Sequence, residues 1–363
     1  MKMINMGELF AHPRINNVET DRVPFSNNEN SFLLKPGDLL FARQSLVLAG
    51  AGKCSIFVGD NEEVTYEGHI IRARINSKIA DPFYYYYFFN SSVGRQTIES
   101  IVEQVAAAGI RGSDLAKLNV PYPPLPEQRA IAGILGALDD KIEVNRRMNA
   151  TLESMARAVF REMMKYEGGN WKQGSILEFA NLLSGGTPST SEESYWDGNI
   201  EWVSAKDVGN VGGVFILDTD KKITQLGVDN SSTKLLPEKT TIVTARGTVG
   251  AHCILGKAMT MNQTNYGLKA KVGIGDYFVY FTLSEMVEQL KQQSYGTIFD
   301  TITTKTFQSA QCAQPPNDVI QEFERQVTPL MDAILNNQEE SRTLASLRDN
   351  LLPRLMRGEV RVK

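Results

Sequence analysis

"PPLPEQRAIAGILGALDDKIEVN" occupies Pro123–Asn145, near the middle of the chain. Prolines and a Glu-Gln pair give way at once to helix formers with apolar residues at helical spacing. That pattern predicts a long helix starting at Pro126-Glu127. The same device returns at Pro315 as "PPNDVIQEFERQ", where Asp318 and Gln321 can form a capping box. Displaced by 192 residues, Pro124–Met164 lies on Pro316–Met356 without a gap. Pro124, Leu138, Asp140, Ile142, Asn145, Thr151, Leu152, Ser154 and Met164 then meet identical residues.

Both copies keep a seven-residue pattern. In the first it runs through Ile131, Leu135, Leu138, Ile142, Asn145, Asn149, Leu152, Ala156, Val159 and Met163. In the second it runs through Phe323, Val327, Leu330, Ile334, Asn337, Ser341, Leu344, Arg348, Leu351 and Leu355. A seam this narrow suits a coiled coil, and its bland alternative is a pair of ordinary amphipathic core helices. Each helix of roughly 40 residues would be about 60 Å long. Asn145 and Asn337 fall mid-seam, where a buried amide fixes register. Pro329 and Pro353 predict a kink or an early end in the second helix, and Gly168 and Gly358 offer stops.

The stretches upstream of the helices echo each other. "LKPGDLLFAR" (Leu34–Arg43) resembles "LPEKTTIVTAR" (Leu236–Arg246), and "DPFYYYYFF" resembles "DYFVYFTL", with Asp81 and Asp276 in step. The chain is thus two copies of one α+β plan, a globular head followed by a long helix. One helix leads from the first head to the second and the other returns, so the expected pair is antiparallel with a pseudo-twofold internal repeat. The expected boundaries are a first head over 1–123, a helix over 124–167, a second head over 168–314 and a helix over 315–363. Trp171–Glu201 of the second head has no counterpart before Met1, and the first head begins where the second has reached Trp202–Val208. Either the gene starts late, or the first head is completed by something else.

The 363 residues allow two cores, and 42% hydrophobic with 22% charged residues is ordinary for a globular protein. There is no run of 18 apolar residues and no leader pattern, so the expected place is the cytoplasm rather than a membrane or the exterior. Cys54, Cys253 and Cys312 stand far apart, which predicts buried free thiols and no zinc site. A net charge of −4 leaves room for a locally basic face. Enzyme motifs fail on single residues. "LAGAGKCS" around Lys53 has Val47 and Cys54 where a phosphate loop needs Gly and Ser or Thr, and "NVPY" at Asn119–Tyr122 has Val120 where an amino-methyltransferase motif needs proline. His12, His69 and His252 have no metal or triad spacing, and no acidic pair precedes a nuclease lysine. The heads read as binding modules, with no metal and no catalytic residue expected.

"LLSGGTPSTSEESYWDGNIEWVSAKDV" (Leu182–Val208) is the most specific stretch in either head. Gly185-Gly186 permit backbone shapes closed to other residues, and Thr187-Pro188-Ser189-Thr190 offers hydroxyls on a rigid loop suited to phosphates. The bland reading of the same loop is a polar turn between strands. "GGTPST…YWDGNIEWVSAKDV", "PPLPEQRAIAGILGALDDKIE" and the two-copy layout together resemble the specificity subunits of type I restriction-modification systems. The resemblance covers nearly the whole chain. It implies two target recognition domains that each read one half of a split, asymmetric double-stranded DNA sequence. It also implies two modification subunits docked on the helices, with restriction subunits joining for cleavage. S-adenosylmethionine would then sit on the modification subunits, and ATP and magnesium on the restriction subunits, with no cofactor on this chain.

Candidate DNA contacts follow from chemistry and position. Arg43 and Arg246 each follow a strand-like run at the start of a loop, and arginine reads guanine or holds phosphate. Gly186, Thr187, Ser189, Lys206, Thr248 and Lys305 are further candidates in the second head, and Arg111, matching Thr303 of the second copy, in the first. Surface salt bridges are the ordinary alternative for such residues. The aromatic run Tyr84–Phe89 is expected to pack beside the long helix rather than to stack on bases. Three rival readings stand beside this one: a degenerate or regulatory relative that binds modification subunits but recognises DNA poorly, a coiled-coil scaffold with protein-binding heads, and a free-standing enzyme.

Overall fold

A computed structural model describes residues 1–24, 27–104, 107–165, 171–293 and 301–362. The expected helix stop at Gly168 lies outside them. The chain divides into two compact units, Met1–Ile142 with Thr343–Lys363, and Glu143–Arg342. Both divisions fall inside the long helices, so each unit joins one mixed head to part of each helix.

The first unit contains β1 (Lys2–Ile4), β2 (Arg14–Asn16), β3 (Leu39–Ala42), β4 (Gln44–Ser45), β5 (Cys54–Gly59), β6 (Val64–Tyr66), β7 (Ile70–Ala73), β8 (Glu103–Gln104) and β9 (Ala108–Gly109). Its short helices are α1 (Met6–Ala11), α2 (Pro82–Asn90), α3 (Ser92–Glu99) and α4 (Gly112–Leu115), and α5 is the long helix Leu125–Lys165. The sheet order is β2-β5-β3-β7, with β1 parallel to β6 and a small β4-β9-β8 ribbon. The second unit contains β10 (Gln173–Ser175), β11 (Ala180–Ser184), β12 (Trp196–Val203), β13 (Phe215–Ile216), β14 (Lys221–Ile223), β15 (Thr241–Thr244), β16 (His252–Leu255), β17 (Thr260–Met261), β18 (Asn265–Ala270) and β19 (Gln311–Ala313). Its helices are α6 (Ala205–Gly209), α7 (Gln225–Asp229), α8 (Asp276–Gln293) and α9 (Thr304–Ser309), and α10 is Asn317–Met356. Here the orders are β11-β18-β15-β16-β13 and β14-β12-β17.

The repeat reappears strand by strand. β1 leads through the Asn5 capping box into α1, as β12 leads through the Ser204 capping box into α6. β2 lies parallel to β5 as β13 lies parallel to β16, and β3 lies between β5 and β7 as β15 lies between β16 and β18. Ladder register fixes the correspondence. Leu39 faces Ile56 and Thr241 faces Ile254, while Arg43 N–H donates to His69 O at 2.9 Å and Ala245 N–H to Thr264 O at 2.9 Å. Arg43 therefore matches Ala245, and Arg246 matches Gln44. The two arginines are one position out of step, because strand pairing admits no gap at the place where matching the Ala-Arg pairs requires one.

The Pro-Glu-Gln start of α5 has a structural use. Gln128 is fully buried; its amide donates to Pro123 O at 2.8 Å and its Oε1 accepts from Asp81 N–H at 2.8 Å. Asp81 in turn caps α2 through Tyr84 N–H, so one glutamine ties two helix starts together. Tyr84 to Phe89 are all buried in α2, as packing requires. All ten seam positions in each long helix are buried or half-buried. Within the second unit the helices pair antiparallel: Asn145 Nδ2 donates to Asn337 O, Glu340 Oε2 and Ser341 Oγ at 3.3, 2.8 and 3.2 Å. Asn337 Nδ2 donates to Asn149 Oδ1 at 2.9 Å. Within the first unit Arg348 donates to Asp139 at 2.6 Å, and Tyr87 donates to the same carboxylate at 2.7 Å.

The seam is not the only buried stripe, so the two readings of the helices combine. Phe160 and Phe323 pack on Phe278 and Phe281 of α8, and Ile131, Leu135, Leu355 and Met356 join the core of the first unit. Two expectations are corrected. The early end expected at Pro329 or Pro353 does not occur, since α10 continues through both; Pro329 is exposed, so water can satisfy the carbonyl freed one turn earlier. Asp318 lies inside α10 rather than at its cap, and Gln321 donates to Gly273 O at 2.8 Å. Gly358 ends the helix as expected, with φ +69.

Candidate nucleic-acid interface

In the second unit the ends of β11, β12 and β15 and the start of β18 lie together, and their loops interlock. Gly186 N–H donates to Met261 O at 2.9 Å, and Gly186 O accepts from Trp202 Nε1 at 3.0 Å. A Cβ on Gly186 would stand 2.3 Å from Ser232 Oγ and 2.4 Å from Thr233 N. Close approach, not a positive φ, thus explains Gly185-Gly186. With both backbone groups engaged, Gly186 has no amide to offer a phosphate and serves as a hinge of the packing. Thr187 Oγ donates to Gln263 Oε1, and Ser189 is exposed with its hydroxyl 2.8 Å from Ser191 Oγ.

From Gln263 the surface continues through Thr264 to Ala245, whose carbonyl accepts from Thr301 Oγ and Ile302 N–H at 3.0 and 3.1 Å. That carbonyl brings the start of α9, with Lys305, against the loop holding Arg246 and Thr248. Gly247 and Gly250, at φ +79 and +78, turn this loop back into β16. Gly209 at the end of α6 abuts Thr248, and Lys206 on α6 is exposed with only a loose 3.7 Å pairing to Asp220. Arg246 and Lys305 are exposed and form no ion pair with a described residue. Thr187, Ser189, Lys206, Arg246, Thr248 and Lys305 therefore share one polar, locally cationic end of the unit. Gln263 and the exposed Lys234 were not singled out from the sequence; the polar run Asn262-Gln263-Thr264 between two strands was the available signal.

The matching end of the first unit is a recess of about 380 Å³ lined by Arg43, Gln44, Glu103, Gly109, Ile110 and Arg111. Ile110 N–H donates to Arg43 O at 2.9 Å, as Ile302 does to Ala245 O, and Arg111 precedes α4 as Thr303 precedes α9. Arg111 is half-committed, paired with Glu103 at 2.6 Å on the surface. The loop between the matching bonds Gly52 N–H to Ala42 O and Gly250 N–H to Thr244 O is longer here. It exposes Leu46 (97%), Val47 (63%) and Leu48 (43%). Lys53 is spent internally, donating to Phe10 O at 3.0 Å over the Phe10 ring.

Other chemistry is sparse. Among the described residues no group of three His, Cys, Asp or Glu could hold a metal, and no helix is long and apolar enough to cross a membrane. Burial pushes the Cys54 and Cys253 thiols up, while Cys312 is only half-buried.

The sequence profile described as "Type I restriction modification DNA specificity domain" matches twice, over residues 10–154 and 168–339. The chain belongs to this family. The two matches fall on the two heads with their long helices, so it is a type I restriction-modification specificity subunit with two target recognition domains. The HindI specificity subunit of Haemophilus influenzae is 22% identical over 98% of this chain and 94% of its own length. The MjaIX specificity subunit of Methanocaldococcus jannaschii is 26% identical over 70% of this chain and 63% of its own length. The crystal structure of a type I system S subunit from M. genitalium superposes with a TM-score of 0.58 at 14% identity, covering 95% of this chain and 88% of that one, a likeness of fold.

Proposed function

We propose that the two heads of this specificity subunit each read one half of a split, asymmetric double-stranded DNA target. The reading is carried by the gathering of Thr187, Lys206, Arg246, Thr248 and Lys305, with Gln263, at one end of the second unit. Exposed lysine and arginine on loops held by a rigid sheet suit phosphate and base-edge contacts. The different residues at matching loop positions, Gln44 against Arg246 and Arg111 against Thr303, give the heads different chemistry and hence different half-sites. The long helices dock two modification subunits, which carry S-adenosylmethionine and transfer methyl groups to adenine. Restriction subunits with ATP and magnesium join for translocation and cutting, and this chain supplies no catalytic group. The test is electrophoretic mobility of labelled duplex with the chain and its modification subunit. Salt-sensitive, sequence-selective binding is expected; complex formation without selectivity would indicate a degenerate relative, and no DNA binding would leave a scaffold.

A further inference from the structure

We propose that the outer edge of β7 in the first unit is a docking site for an extended strand of a second polypeptide with the residue pattern of β11. The second unit is the template. There β18 pairs on one side with β15 and on the other with β11, Leu182 facing Leu268 and Leu183 facing Gly267. β7 holds the place of β18, paired on one side with β3. Among the described residues no strand lies on its other side.

Register shows which groups are left over. Arg43 N–H bonds His69 O, so by antiparallel alternation Ile71 and Ala73 bond β3 and the backbone of Arg72 points outward. Arg72 corresponds to Gly267, the residue that meets Leu183. No backbone partner for Arg72 or Arg74 occurs among the described residues. An unpaired edge of this kind is a template for strand addition.

The edge is also set in place without its neighbour. Arg72 holds Ser31 O and Leu33 O at 2.7 and 3.2 Å, and Arg74 grips both Asp38 oxygens at 2.6 Å. Its apolar lining is half-covered: Ile71, Ala73 and Ile75 pack on the core without being fully enclosed. In the second unit Leu182 and Leu183 of β11 pack on two different core clusters, one on each face of the sheet. The incoming strand therefore needs apolar residues at two successive positions, as β11 has, to serve both faces.

The test uses the full chain and a synthetic peptide of the sequence QGSILEFANLLSG, residues 173–185, followed by hydrogen exchange and mass spectrometry without DNA. Peptide is expected to slow exchange of amides 70–75 by about tenfold or more. A peptide N-methylated at the position of Leu183 lacks the donor that faces Arg72 and is expected to give no protection. Unchanged exchange over 70–75 at saturating peptide would overturn the proposal, as would equal protection by the methylated peptide. Protection confined to 265–270 would also overturn it, because the peptide would then be exchanging with β11.

Discussion

Replacing Arg246 by alanine separates a DNA contact from a structural role, because the two roles predict different observables. Arg246 is exposed, starts a loop set by Gly247 and Gly250, and makes no ion pair with a described residue. Truncating such a side chain should change stability by no more than about 0.5 kcal/mol, or about 2 °C in a unit of this size. If the guanidinium bonds a guanine, loss of the pair should cost about 1–3 kcal/mol, roughly 5- to 150-fold in affinity. That loss should appear at the cognate sequence and shrink at a target changed in one base pair. If it bonds a phosphate, affinity should fall evenly across sequences and the slope of log K against log salt should drop by about one unit. Fluorescence anisotropy of labelled duplex with the assembled chain and modification subunits, at several salt concentrations, measures both, with a melting curve beside it. Unchanged affinity and slope in a variant that melts with the wild type would remove Arg246 from the interface.

Further outcomes are expected. Leu46→Ser should leave stability intact, because the side chain is 97% exposed, but weaken DNA binding if the longer loop of the first unit meets a groove; equal affinity in the same anisotropy assay would refute a contact. Burial pushes the Glu324 carboxyl up to about 7 from 4.5, so the native state holds a proton that the unfolded chain has lost in that window, and stability falls as pH rises through it. The Glu324→Gln variant should lack that fall, gaining on the wild type by roughly 2 kcal/mol between pH 5 and 8 in thermal melts; parallel profiles would exclude it. Lys2→Glu should destabilise by about 3–5 kcal/mol, because Lys2 and Asp60 pair at 3.2 Å with side chains 6% and 3% exposed. Adding Asp60→Lys should recover part of that in denaturant titration. One heptad added to each long helix, about 10 Å, should lengthen the preferred gap between half-sites by about three base pairs, read by methylation mapping.

Much of the fold was legible because helices announce themselves locally. A seam kept over successive heptads, proline at the start and Gly358 at the end are contained in the stretch they describe, and α5 and α10 follow them closely. The mid-seam asparagines were readable for the same reason. Register between strands was not: whether Arg43 aligns with Ala245 or Arg246 depends on which residues of β5 and β16 lie opposite, a long-range fact. The glycine pair at 185–186 illustrates a second limit. Sequence marks the need for glycine, but only the approach of Ser232, Thr233 and the Met261–Asn262 backbone shows that space, not φ, is the reason. Gln263 was missed because a glutamine in a loop has no pattern of its own until Thr187 is seen to hold it.

The buried charges show how two copies of one frame can diverge and both remain stable. Lys2 lies on β1 where Glu201 lies on β12, each three residues before the N-cap, Asn5 or Ser204, of the matching capping boxes. In the first unit the cation of the pair comes from this strand and the carboxylate from Asp60. In the second the carboxylate comes from it, and Lys222 and Lys257 answer at 3.0 and 2.9 Å. The position demands a matched pair but is indifferent to which strand carries which sign. Each core has thus been re-matched within its own unit, while capping boxes, ladder register and the turn at Gly52 and Gly250 stayed fixed. Loops hung on that fixed frame can change length and chemistry without disturbing it, as the contrast between Leu46-Val47-Leu48 and Gly247-Thr248 shows. A protein that must acquire new recognition surfaces while keeping its attachment to a shared assembly needs that separation of frame from loop.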